Sequence, residues 1–134
     1  MIARWPVELF DRLPDRIIKD MLSALHYSNG ERSLQDLIHE IARGEKQVWL
    51  HTEGDKFNAT VVTQVTQFPG KKTCEILYLG GDKAIKYLDD IREIEVWAKA
   101  EGCHDIQVIG RDGWAKVLKQ YGYDKRYVVT GKVL

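Results

Sequence analysis

The chain has 134 residues, 44% of them hydrophobic, with 20 Lys+Arg balanced by 20 Asp+Glu for a formal charge of zero. That length suits one domain, residues 1–134, able to bury its own core without a disulfide or metal. The charge balance excludes a basic nucleic-acid coater and an acidic tail, and the hydrophobic content excludes a disordered chain.

Ile2 to Trp5 predicts a short strand. Leu13-Pro14-Asp15 opens the first helix, with proline at a position that tolerates it and an acid at the positive end of the dipole. Ile17, Ile18, Met21, Leu22 and Leu25 then recur at helical spacing. Ser33 with Asp36 three residues on predicts an N-cap, Leu34, Leu37, Ile38 and Ile41 form the next stripe, and Gly44 stops it. Gln47 to Thr52, Phe57 to Phe68 and Thr73 to Leu79 read as three strands joined by short turns, an antiparallel meander. Within the middle strand, Val61-Val62 breaks the alternation in the way a bulge would. After Gly80-Gly81 the period becomes helical through Ala84, Leu88, Ile91, Ile94 and Ala98, and Gly102 ends it. A strand from Asp105 to Ile109, a helix from Asp112 to Tyr121 and a last strand from Tyr127 to Val133 complete the order. The result is a mixed α+β sheet, mostly antiparallel, with the step from Thr73 to Ile109 as a parallel crossover.

No apolar run is long enough to cross a membrane, and the first residues lack the apolar core of a signal peptide. Cys74 and Cys103 therefore read as reduced thiols in a cytoplasmic protein. His26, His39, His51 and His104 lack metal-ligand spacing, so no metal site is expected. The most informative stretch is Ile76 to Lys83, where an apolar strand meets Gly80-Gly81 and a helix follows at once. Glycines allow close approach of backbone N–H groups to a ligand, and a helix start favours an anion, so the stretch reads as a phosphate cradle. On spacing alone it reads first as a tight strand-to-helix turn capped by Asp82, whose carboxylate competes for the same N–H groups. Arg111, with Trp114 on the following turn, suits an anion or an aromatic partner, or a core position for the indole.

The order of elements resembles the GNAT superfamily of N-acetyltransferases. Leu79-Gly80-Gly81, Trp97-Ala98, Gly102-Cys103 and Gly110-Arg111-Asp112-Gly113-Trp114 resemble, within it, small acetyltransferase-like proteins of bacteriophages and prophages. The resemblance implies acetyl-CoA in a V-shaped opening between the strands Thr73–Leu79 and Asp105–Ile109. Backbone groups of Leu77, Tyr78 and Leu79 would hold the pantetheine arm, and the N–H near Leu77 would polarise the thioester. Gly80, Gly81, Asp82, Lys83 and Ala84 would hold the pyrophosphate, with Lys83 or Lys86 as a cationic partner. Glu75 is the implied base and Tyr121 the implied acid in transfer to an amine. Two departures stand out: the pyrophosphate loop is shortened, and Leu118 occupies the place where the family often has its tyrosine acid. The resemblance also allows a degenerate member that acts by contacts with phage or host proteins, inside a virion or as a homo-oligomer. No nucleic-acid or membrane partner is expected.

Overall fold

The computed structural model describes residues 2–25, 30–81, 88–110 and 112–134. Among these residues five strands form one sheet in the order β1-β2-β3-β4-β5: β1 Ile2–Arg4, β2 Gln47–Glu53, β3 Lys56–Gln67, β4 Lys72–Gly80 and β5 Asp105–Val108. The first four pair antiparallel and β5 joins β4 in parallel. Among the described residues four helices accompany them: α1 Asp15–Leu25, α2 Leu34–Ala42, α3 Ile91–Ala100 and α4 Asp112–Leu118. Short 3₁₀ turns at Val7–Arg12 and Lys119–Tyr121 add to the predicted elements.

The sheet carries helices on both faces, which explains the Val61-Val62 pair. Val61 joins a core with Ile2, Trp49, Cys74, Ile76, Ile94 and Leu118 on the α3–α4 side. Val62 joins Val48, Leu50, Ile17, Met21, Leu37 and Ile41 on the α1–α2 side. Both valines are buried because both faces are covered, so a strand here has no reason to alternate. The bulge lies opposite: Val62 pairs with Tyr78 and Thr63 with Ile76, leaving Leu77 on β4 as the extra residue. A second irregularity sets Asn58 between Phe57 and Ala59, facing His51 and Thr52 on β2.

The N-cap predicted at Ser33 forms, as half of a capping box: Ser33 Oγ accepts from the Asp36 N–H, and the Asp36 carboxylate accepts from the Ser33 N–H. On α1 the buried face is Ile17, Met21 and Leu25, one per turn, while Leu22 from the predicted stripe is 51% exposed. Ile17 is fully enclosed, so Ile17→Ala should lower unfolding stability by about 2–5 kcal/mol in a denaturant titration. Leu22→Ala should change it by well under half of that.

The predicted last strand does not form. Residues 124–134 carry no regular structure, and Tyr127, Val128, Val129, Val133 and Leu134 are all exposed. Strand-forming residues become a strand only when a neighbouring strand takes their backbone hydrogen bonds. This segment has no such neighbour among the described residues.

Candidate active site between the parting strands

β4 and β5 run side by side only from Thr73–Asp105 to Ile76–Val108, closed by the Ile109 N–H donating to the Ile76 carbonyl at 2.9 Å. Beyond Ile76, β4 continues through Leu77, Tyr78, Leu79 and Gly80 with no strand on its β5 side among the described residues. These four residues are half-exposed. The Leu77 bulge falls where the strands part, and it leaves Leu77 out of the ladder with β3. Side chains leave this stretch in different directions. Tyr78 packs on the α1–α2 core and Leu79 on the α3–α4 core, so backbone is what the stretch offers a ligand.

The two glycines serve the protein's own packing. A Cβ on Gly80 would lie 3.0 Å from the Asp20 carbonyl oxygen on α1. Gly81 has φ +122, and its Cβ would lie 2.5 Å from the Asn58 carbonyl oxygen and 2.8 Å from the Ala59 Cα on β3. Close approach is required here, as glycine implies, but to α1 and β3. Asp82, Lys83, Ala84, Lys86 and Arg111 lie outside the described residues. Trp114 is half-buried against the α3–α4 core, with its Cδ1 3.2 Å from where a Gly110 Cβ would be, so the indole closes over the turn after β5.

Glu75 is buried, 6% exposed, and so is not a solvated polar residue of an alternating strand. Its Oε1 accepts from Gln64 Nε2 at 3.1 Å and from the Thr66 hydroxyl, and its Oε2 accepts from Gln107 Nε2 at 3.0 Å. Neutral donors from β3 and β5 thus fix a carboxylate on β4, with no cation paired to it among the described residues. It stands two positions before Leu77, about 7 Å along a strand. Tyr121 stands on the other side of the sheet: it packs on the α3–α4 core, and its hydrogen bond to Asp89 holds the phenol above its usual pKa. Glu75 and Tyr121 are therefore not brought together. Leu118 is buried in that same core.

Several polar groups here carry no sequence signature. Arg32 donates to Glu40 at 2.6 Å and hydrogen-bonds Tyr78, while buried Lys46 pairs with the same Glu40. This ties the start of α2 to the free stretch of β4. His51 Nε2 lies 2.6 Å from Asp90 Oδ2, beside a small apolar cavity of about 20 Å³ lined by Ala59, Leu79 and Leu88. Both cysteine thiols are held protonated. Burial pushes Cys74 up to about 12 and raises Cys103 as well, so neither is a ready nucleophile. Among the described residues no cluster is arranged to hold a metal ion, and no helix is long and apolar enough to cross a membrane.

Asp105, at the closed end of the strand pair, gives a pH dependence. Burial opposes its ionisation, but hydrogen bonds from Lys71, Thr73 and Arg126 outweigh it and hold the carboxyl well below the usual aspartate range. A lowered folded-state pKa stabilises fully above the unfolded value of about 3.9 and is lost as pH falls toward the folded one. Thermal unfolding from pH 7 to pH 2.5 should therefore show a loss below about pH 4 that is shallower in Asp105→Asn. Parallel curves for the two proteins would contradict this.

No protein-family model and no curated protein sequence matches the chain. Solved structures do match over its whole length. A GCN5-related N-acetyltransferase from Ralstonia eutropha JMP134 superposes with a TM-score of 0.73 at 12% identity, covering 99% of this chain and 97% of that one. An aminoglycoside acetyltransferase from an uncultured soil metagenomic sample, in complex with sisomicin, gives 0.72 at 12% identity over 100% and 95%. A predicted acetyltransferase from Clostridium acetobutylicum with acetyl-CoA gives 0.69 at 11% identity over 98% and 95%. The chain has the fold of the GNAT-type acetyltransferases, a five-stranded, mostly antiparallel sheet flanked by helices.

Proposed function

We propose that the chain is an acetyl-CoA-dependent N-acetyltransferase acting on an amine. The observation that carries this reading is the parting of β4 from β5 at a bulge, with a buried carboxylate two residues before it. The free backbone edge of Leu77–Gly80 fits the amide-bearing pantetheine arm, whose groups need donors and acceptors at strand spacing. The residues for the pyrophosphate, Gly81 to Ala84 with Lys83 or Lys86, follow that edge in sequence. When bound, acetyl-CoA supplies the activated acetyl thioester. The Leu77 N–H would supply a donor to the negative charge that gathers on the thioester carbonyl oxygen. Glu75 receives the proton of the attacking amine, and the amides of Gln64 and Gln107 keep its oxygens aimed. Tyr121 on the opposite face returns a proton to the leaving thiolate only through an intervening group such as water. A neighbour with bound acetyl-CoA and another with an aminoglycoside support the substrate classes.

A second reading has its own observation. Leu118 fills the core where the family often carries its acid, and this favours a degenerate acetyltransferase-fold protein. Such a protein would be cytoplasmic in a phage's host or virion-associated, working through protein contacts. Release of free thiol from acetyl-CoA, followed across a panel of aminoglycosides, polyamines and peptide amines, separates the two. Amine-dependent release supports the enzyme, whereas bound acetyl-CoA with no release on any amine supports the degenerate form.

A further inference from the structure

Glu75 shares its face of the sheet with a second polar group on β4. Cys74 and Ile76 point into the α3–α4 core, so Glu75 between them faces the other way, and Tyr78 packs on that same α1–α2 side. Glu75 and Tyr78 are three positions apart on β4, about 10 Å at the rise of a strand. Leu77, left out of the ladder by the bulge, lies between them.

Around Tyr78 the charges do not balance. Glu40 takes Arg32 Nε at 2.6 Å on one carboxylate oxygen and Lys46 on the other, so two cations share one anion. The Lys46 side chain is 2% exposed and that of Glu40 14%, whereas that of Arg32 is 32% exposed. The surplus positive charge therefore meets solvent at Arg32. Its guanidinium has five N–H donors, of which Glu40 takes the Nε–H and Tyr78 one more. The Tyr78 hydroxyl accepts from Arg32 and keeps its own O–H, which has no acceptor among the described residues. Burial holds this phenol above its usual pKa, so the proton stays in place. A guanidinium with donors to spare beside a phenol with an unused O–H makes a site for a carboxylate. Exposed Glu31 also acts on Tyr78 and favours an anion of single over double charge there. We propose that the acceptor amine carries a carboxylate at its far end, bound by Arg32 and Tyr78 while the amine stands at Glu75.

This specificity rests on the transferase reading. Several bonds must separate the two groups of the acceptor, so an ω-amino acid fits and an amine beside its own carboxylate does not. Initial rates with ε-aminocaproate, its amide and aminohexyl phosphate test it, because the three differ at the far end. The carboxylate should exceed the amide in kcat/KM by about 10–100-fold, the usual worth of hydrogen bonds to a charged group. The difference should lie in KM, because the carboxylate is held alike before and during transfer. Arg32→Gln should bring the two acceptors level, and it leaves Glu40 paired with Lys46, so no buried charge is stranded. Tyr78→Phe should narrow the gap in part. Equal rates in the parent, a gap that survives both variants, or a preference for the phosphate overturns the proposal. So does turnover of other amines but of none of these three, and the transferase reading then stands. No turnover of any amine removes that reading as well.

Discussion

Gly81→Ala should leave little folded protein. The added Cβ would meet the Asn58 carbonyl oxygen at 2.5 Å and the Ala59 Cα at 2.8 Å, both backbone atoms of a central strand that cannot step aside. At φ +122 a side chain is also strained whatever the space, by about 1–3 kcal/mol. With overpacking of similar size, the total reaches several kcal/mol, against about 5–15 kcal/mol for the stability of a whole domain. Expression yield and urea midpoint measure it, with Gly70→Ala as the control: Gly70 has open space around it and should tolerate the methyl group. Similar midpoints for the two variants would contradict the packing account. A bulky residue at position 81 is consequently no probe of ligand binding, since it disrupts β3 and β4 before any ligand is met.

Glu75→Gln should remove most of the acetyl-transfer rate while leaving the fold intact. The amide keeps the size of the carboxylate and still accepts from Gln64, Thr66 or Gln107 through its carbonyl oxygen. What it loses is the capacity to take a proton, a contribution of about 10²–10⁴-fold. The loss should lie in kcat more than in KM, because Glu75 is buried beneath the binding edge and does not form it. Gln107→Leu offers a graded comparison. It removes one of the donors that aim Glu75 and should lower kcat by less than Glu75→Gln does. A Glu75→Gln protein with parental kcat would end the assignment of Glu75 as base.

Local chemistry made much of this fold legible. The Ser33–Asp36 box, the glycines after α2 and α3, and the short turns of the meander are decided within a few residues, and each stands where its signal placed it. Signals that depend on distant partners were harder to read. Tyr127 to Val133 has a strand's composition, but composition does not supply the neighbour that a strand requires. Val61-Val62 marked a disturbed region correctly, yet the extra residue sits across the ladder at Leu77. Gly80-Gly81 announced a close approach without saying whether a ligand or the protein's own backbone would come near. Element order predicted the parallel crossover from β4 to β5, while the opening between them came only as what the resemblance to the GNAT superfamily implies. The shell around Glu75 had no such signal. Gln64, Thr66 and Gln107 lie 11, 9 and 32 residues away in sequence and are ordinary polar residues until the sheet aligns them.

Backbone amide chemical shifts of the ¹⁵N-labelled protein, recorded as acetyl-CoA is added to millimolar concentration, address the central claim most directly. The account predicts that the largest changes fall on Leu77 to Gly81 and on Val108 to Gly110, the two sides of the opening, while α1 and the outer strand β1 stay still. Saturable changes confined to those residues would place the acetyl donor where the strands part. An unchanged spectrum at millimolar acetyl-CoA, or changes centred elsewhere on the sheet, would contradict it.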